Sequence, residues 1–439
     1  MKQIFVLAMG LLTAVSSASA QNIRFTEYDL KNGLHVILHE DHSTPIVAVT
    51  VLYHVGSKNE QVGRTGMAHF FEHLLFEGTE NIGRGEYSKY VENAGGGLNA
   101  NTSQDRTFYY DLLPSNQLEL GLWLESERMM HAKVEKEGIE TQREVVKEEK
   151  RQRYDNQPYG NLFPETLKRA YKNNSYAWAP IGSLDDLNAA KDQDFVDFYH
   201  MYYVPNNATL SIAGDFTPEQ AKRWIEAYFG PIARGKDIQR PVFKPEPKGE
   251  VRDVIKVKDQ LPLMVQAYRI PAQGTPEFYA VDMLNTLLSN GTSSRLNKSV
   301  VEEKELAIFS GAFTFNLEDP GLTLSYTVAN MGVDVQELEK AVNDEFVRLQ
   351  NEPITDAEFQ KLRNQIESNF ISGNSSMAGI AESLANYHTY YGDTNLINTE
   401  IERYMKVTKE DLMAAAKKYY TPDNRVTLFF EHDPSLLEK

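Results

Sequence analysis

Five consecutive residues, His69-Phe70-Phe71-Glu72-His73, encode the clearest chemistry in this sequence. On a helix, side chains at i and i+4 share a face, so His69 and His73 can offer imidazole nitrogens to one zinc ion. Glu72, at i+3 from His69, falls beside that ion, where its carboxylate can take a proton from a bound water. Phe70, Phe71, Leu74 and Leu75 supply apolar surface that buries the helix and holds its polar face rigid. The order H-x-x-E-H is the inverse of the H-E-x-x-H zinc signature. A surface or core histidine pair is the plain alternative, and the helical context weighs against it.

A zinc ion that does chemistry keeps three protein ligands and an open fourth position. Spacing alone does not identify the third. His35, His39, His42, His54, His131, His200, His388 and His432 show no paired spacing on a helix. Downstream, Glu144, Glu148 and Glu149 lie on one charged segment. They read equally well as a solvated face with ion pairs such as Glu149 with Arg153 at i+4. On residue chemistry all three stay candidates.

The elements that must position these groups follow from periodicity. The pattern predicts a helix over residues 65–77, with Thr65 near its N-cap and Gly78 as its stop. Strands are expected at 36–38 and 46–53, helices at 86–93, 117–131 and 138–153, and one strand running from near Leu98 to Leu113. Strands and helices mix without βαβ alternation, which predicts an α+β fold. Tyr202-Tyr203-Val204-Pro205-Asn206-Asn207 is echoed by Tyr419-Tyr420-Thr421-Pro422-Asp423-Asn424. Each copy follows a helical segment and precedes an apolar strand, so the chain reads as a duplication. Between the halves, residues 235–248 are rich in Pro, Lys and Gly and lack periodicity, as a linker does.

Composition bounds the rest. The chain has 439 residues, 41% of them hydrophobic, enough for two or three compact units. With 62 acidic against 45 basic residues the formal charge is -17, which argues against nucleic acid as a partner. The absence of cysteine removes disulfides, thiolate catalysis and Cys-type zinc sites. Lys2, the apolar run 4–15 and Ala18-Ser19-Ala20 form a signal-peptide pattern with cleavage after Ala20, so the expectation is a periplasmic or secreted protein with no membrane span.

An ordered set of motifs then resembles one family. After His69-x-x-Glu72-His73 come Phe76-x-Gly78-Thr79, Leu98-Asn99-Ala100-x-Thr102-x-x-Asp105-x-Thr107 and Arg143-x-Val145-x-x-Glu148-Glu149. Phe198-Tyr199-x-x-Tyr202-Tyr203-x-Pro205-Asn206-Asn207 and Ala213-Gly214-Asp215 complete it. The set resembles the pitrilysin/insulinase family of zinc peptidases, which includes the mitochondrial processing peptidase and bacterial two-domain members. The resemblance implies Glu149 as third ligand, one Zn²⁺ per chain, and Glu72 as general base of an endopeptidase. It implies that Asn99 and Ala100 lie on the edge strand that pairs with substrate.

It also implies two duplicated α+β domains, each a mostly antiparallel sheet with flanking helices, in a clam-shell. The expected division is a signal peptide at 1–20, a zinc-binding domain at 21–234, a linker at 235–250 and a homologous domain without metal at 251–439. Two departures stand out. Gln142 occupies a position where many members carry a second glutamate, so it can support the ligands by hydrogen bonding but adds no charge. In the second half, Val301 and Ile308 stand where active members place an Arg and a Tyr that grip substrate. The expectation is therefore a heterodimer with a family subunit that lacks the zinc motif, a homodimer being the alternative. A non-catalytic assembly subunit or a peptide-binding subunit of the same fold is the rival reading.

Overall fold

The computed structural model describes residues 22–436, so the expected signal peptide lies outside the described residues. Two sheets organise the chain. The first contains β1 (Thr26–Asp29), β2 (His35–Glu40), β3 (Ile46–Tyr53), β4 (Gly97–Thr102), β5 (Thr107–Pro114) and β6 (Ala208–Gly214), in the order β1-β2-β6-β3-β5-β4. The second contains β7 (Val251–Val257), β8 (Leu263–Arg269), β9 (Ala307–Phe315), β10 (Leu322–Ala329) and β11 (Arg425–His432), in the order β7-β11-β8-β10-β9. With β1 set aside, both sheets run first, last, second, fourth, third strand. Each also pairs its first and last strands in parallel and all others antiparallel. That shared order is the duplication that the repeated Tyr-Tyr-x-Pro motif pointed to. Each copy of the motif leads into its sheet's last strand, β6 or β11.

Both faces of the first sheet are covered, which explains why β3 reads Ile-Val-Ala-Val-Thr-Val-Leu-Tyr with almost no polar break. Val47, Val49, Val51 and Tyr53 face the core that holds the first half's helices. Ala48 and Ala213 face the other way, onto Ile380, Ala381 and Leu384 of the helix Met377–Tyr391, which the second half contributes. On the second sheet, Leu263, Val265 and Ala267 join the first half's core, whereas Met264 and Tyr268 pack under the second half's own helices. The halves therefore interlock through apolar burial.

Two local expectations change. The run from Leu98 to Leu113 is a hairpin, β4 and β5, rather than one strand. Its turn closes with Ser103 N donating to Arg106 O, while Ser103 Oγ accepts from the amides of Asp105 and Arg106. A short polar Ser-Gln-Asp-Arg segment whose hydroxyl satisfies its own backbone favours that reversal. The first helix, α1, spans Met67–Leu74 rather than 65–77. Thr65 is held outside it by Asp186, which accepts from its amide and hydroxyl, and Gly66 caps it at φ 92°. The proline-rich connection carries no helix or strand over 233–250, yet it is pinned to both halves. Arg240 donates to His54 O at 2.6 Å, and Phe243 N donates to Asp319 Oδ2 at 2.9 Å.

Candidate metal centre

Two helices and one edge strand build the site. Helix α1 brings His69, Glu72 and His73 to one face, as their spacing requires. Its other face is anchored. Phe70 and Phe71 pack on Phe195, and Tyr109 on β5 donates its hydroxyl hydrogen to Phe71 O at 2.7 Å. The amino end of α1 is held by Glu60, whose carboxylate accepts from Gly66 N and Ala68 N at 2.9 Å and from the Trp178 indole at 2.8 Å. Two further helices precede the one that faces it: α2 (Tyr87–Asn93) and α3 (Leu118–His131). The facing helix, α4 (Lys136–Lys150), approaches α1 at Gly138, where a Cβ would already touch Leu74 at 3.4 Å. Beyond Lys150 the chain makes one π-helical turn, Arg151–Asp155, where the sequence predicts α-helix through 153.

Of the three candidate carboxylates on α4, Glu149 turns toward the histidines. Its Oε2 lies 3.1 Å from His73 Nε2 and 3.4 Å from His69 Nε2. Ligands of a tetrahedral zinc at 2.0–2.1 Å are separated by roughly 3.3 Å, so this spacing suits one ion. Glu144 and Glu148 point outward to Lys147 and Arg151. Glu149 Oε2 is buried and accepts no hydrogen bond, and His69 Nδ1 is likewise without a partner. A buried carboxylate oxygen facing two imidazoles with no donor on it fits a cation. Burial pushes His69 down to about 4, which leaves the ring neutral and able to ligate at neutral pH. Burial raises the Glu149 carboxyl, but the rings of His73 and His69 and the Arg153 guanidinium outweigh it, so its net direction is down. Glu72 moves the other way, raised chiefly by burial.

Two cavities, of about 690 and 420 Å³, meet at this group, and Glu72, Asn99, Glu149 and Arg153 line both. Strand β4 forms the edge of the first sheet here. On it, Ala100 N donates to the side-chain oxygen of its neighbour Asn99 at 2.8 Å. Gln142 does not turn to the histidines; its amide donates to Glu77 Oε1 at 2.5 Å. Val301 is half-buried against the second half's core and Ile308 is exposed on β9, so neither offers a donor to substrate.

Sequence spacing gave no sign of Glu60, in the segment just before α1, or of Tyr109 on β5, both of which act on backbone groups of α1. It also missed a second histidine pair. His35 stacks on His388 with centroids 3.4 Å apart and planes within 4°, flanked by Asp29 and Glu27. Rings stacked face to face cannot converge their lone pairs on one ion, so this group reads as a polar clasp between β2 and the helix Met377–Tyr391.

The family model described as Insulinase (Peptidase family M16) matches residues 35–181, and that described as Peptidase M16 inactive domain matches residues 190–366. The zinc protease PqqE of Helicobacter pylori is 31% identical over 96% of both chains. The crystal structure of a protease from Helicobacter pylori superposes with a TM-score of 0.88 at 30% identity, over 94% of this chain and 100% of that one. The periplasmic protease PqqL of Escherichia coli shares the fold at a TM-score of 0.75 and 19% identity, over 94% of this chain and 48% of that one.

Proposed function

This chain belongs to the pitrilysin/insulinase (M16) family of peptidases, and on that premise we propose that it is a zinc-dependent endopeptidase acting on peptides or small unfolded proteins. The observation that carries the reading is the buried Glu149 oxygen, free of hydrogen bonds, facing His69 and His73 with Glu72 on the same helix face. His69, His73 and Glu149 are the residues that would hold one zinc ion per chain. When bound, the ion supplies Lewis acidity, bringing the pKa of a water toward about 7 and polarising the scissile carbonyl.

The chain's own residues do the rest. Glu72 accepts the attacking water's proton on its carboxylate and delivers it to the leaving amine. Its raised pKa suits both halves of that exchange. The substrate adds as a strand along β4, where a substrate carbonyl replaces the Asn99 side chain on the Ala100 amide. Gln142 supports α1 through Glu77 rather than by touching a ligand.

With Val301 and Ile308 in place of the family's substrate-gripping pair, the metal-bearing subunit works with a zinc-motif-lacking family partner that supplies it. The named periplasmic relative and the N-terminal pattern support an exported, periplasmic protein. The test is Glu72→Gln. Zinc stays at one per chain by elemental analysis, while peptide hydrolysis by the chain, alone or with its partner, falls at least 10³-fold, about the scale seen when a site loses its base. Retained hydrolysis would remove Glu72 from the mechanism. A zinc-free parent would move the protein to the assembly or peptide-binding reading.

A further inference from the structure

Hydrolysis places negative charge on the scissile carbonyl oxygen, and this charge needs a donor fixed in advance. The second half offers none at Val301 or Ile308. Among the described residues, Arg153 is the sole lysine or arginine lining either cavity at the candidate metal centre. It stands at their junction, with Glu72, Asn99 and Glu149. One of its five N–H donors is committed, Nη1 lying 2.9 Å from Glu149 Oε1. The side chain is 73% exposed and lines both cavities. It sits on the π-helical turn Arg151–Asp155, a local widening of the helix that re-aims side chains and is frequent at functional sites. The pair with Glu149 sets the guanidinium beside the proposed ligands, at the junction of the two cavities that a peptide would enter.

We propose that Arg153 is a substrate-contacting catalytic residue that donates to the scissile carbonyl oxygen as negative charge develops there. This inference rests on the endopeptidase reading above. It narrows what a partner subunit has to supply: the grip on the rest of the peptide, with the charge-stabilising cation already present in this chain. Glu149 uses Oε2 toward the histidines and Oε1 toward Arg153, so the same carboxylate orients both the ion's ligand set and the guanidinium.

The test compares a phosphinic hexapeptide, whose tetrahedral anionic group imitates the charged carbonyl, with the amide hexapeptide of the same sequence. Binding of each to the zinc-loaded chain is measured by calorimetry, with zinc per chain determined on the same samples. Arg153→Met is expected to weaken the phosphinic peptide roughly 10²-fold, the amide peptide less than about threefold, and to leave zinc unchanged. Arg153→Lys is expected to recover part of the loss, and it replaces Arg153→Met should that variant fail to fold. Equal binding of the phosphinic peptide by parent and variants overturns the proposal and leaves the endopeptidase reading standing. Loss of zinc in the variants also overturns it, reducing Arg153 to a prop for Glu149. A zinc-loaded parent that does not bind the phosphinic peptide overturns the proposal, since this chain then does not itself supply the charge-stabilising cation, and leaves the endopeptidase reading to the Glu72→Gln test.

Discussion

Glu149 and His73 are 76 positions apart in the chain, yet Glu149 Oε2 lies 3.1 Å from His73 Nε2 with no hydrogen-bond donor on it. The contact exists because α4 packs along α1, with Gly138 beside Leu74 and Glu77. Glu149→Gln keeps the shape and removes the charge that faces the two imidazoles. Zinc affinity, read by competition with a chelator, should fall by more than the roughly 10- to 100-fold that loss of an outer partner costs. Glu144→Gln and Glu148→Gln should leave it unchanged, since both side chains point to solvent-facing cations.

The edge of β4 gives a second prediction. An amide satisfied by the adjacent side chain, as Ala100 N is by Asn99, is one that the sheet ladder does not use. Ala100→Pro deletes that donor, and proline is tolerated on an edge strand. The hydrogen bond is worth about 1 kcal/mol, so kcat/KM for a peptide substrate should drop roughly fivefold or more with zinc content intact. An unchanged kcat/KM would place the substrate elsewhere.

Glu60 yields a prediction in pH. Burial pushes its carboxyl up to about 8, although it accepts three N–H groups. An acid whose pKa is higher folded than unfolded is bound to more protons in the native state between those two values. Its contribution therefore declines as pH rises from about 4.5 through about 8. Glu60→Gln cannot ionise, so its thermal-melting profile should be flatter across that window than the parent's. A parallel pair of profiles would show that Glu60 does not titrate there.

How much of this was legible beforehand depends on where the determining contacts lie. The helix bearing His69, Glu72 and His73 is written in local spacing, and so is the repeated helix-turn-strand before β6 and β11. Glu149 is different. Glu148 and Glu149 differ by one step of about 100° around the same helix, and which of them faces α1 is decided by how α4 packs on α1 in the folded chain. Residue chemistry left that choice open, and family resemblance supplied an expectation that the geometry then illustrates. The 98–113 hairpin was hidden because its turn contains no Gly or Pro and is closed by the Ser103 hydroxyl. Tyr109 had no sequence signal at all, since it recognises a backbone group that becomes its neighbour only after folding, and no motif marks Glu60 as the acceptor for amides six and eight positions on.

The last prediction concerns the joint that fixes β4 against the second half. Lys58 Nζ lies 2.9 Å from Asp319 Oδ2, 3.1 Å from Glu318 Oε2 and 3.9 Å from Asp105 Oδ1. Asp105 belongs to the β4–β5 turn, and its Oδ2 accepts from Glu318 N at 3.0 Å. Glu318 and Asp319 belong to the β9–β10 connection, so one buried ammonium gathers carboxylates from both halves. Burial would raise Glu318, but His54 and then Lys58 bring it down to about 2, while burial lifts Asp105 to about 6. Lys58→Met removes the cation and leaves three carboxylates crowded in a poorly hydrated joint. Breaking a buried pair on one side costs about 3–5 kcal/mol, which predicts a clear drop in Tm at pH 7. The loss should shrink as pH falls toward 4, because the stranded carboxylates then take up protons and their mutual repulsion fades. A variant with parental Tm at pH 7 would show that the halves are held by their apolar interlock alone.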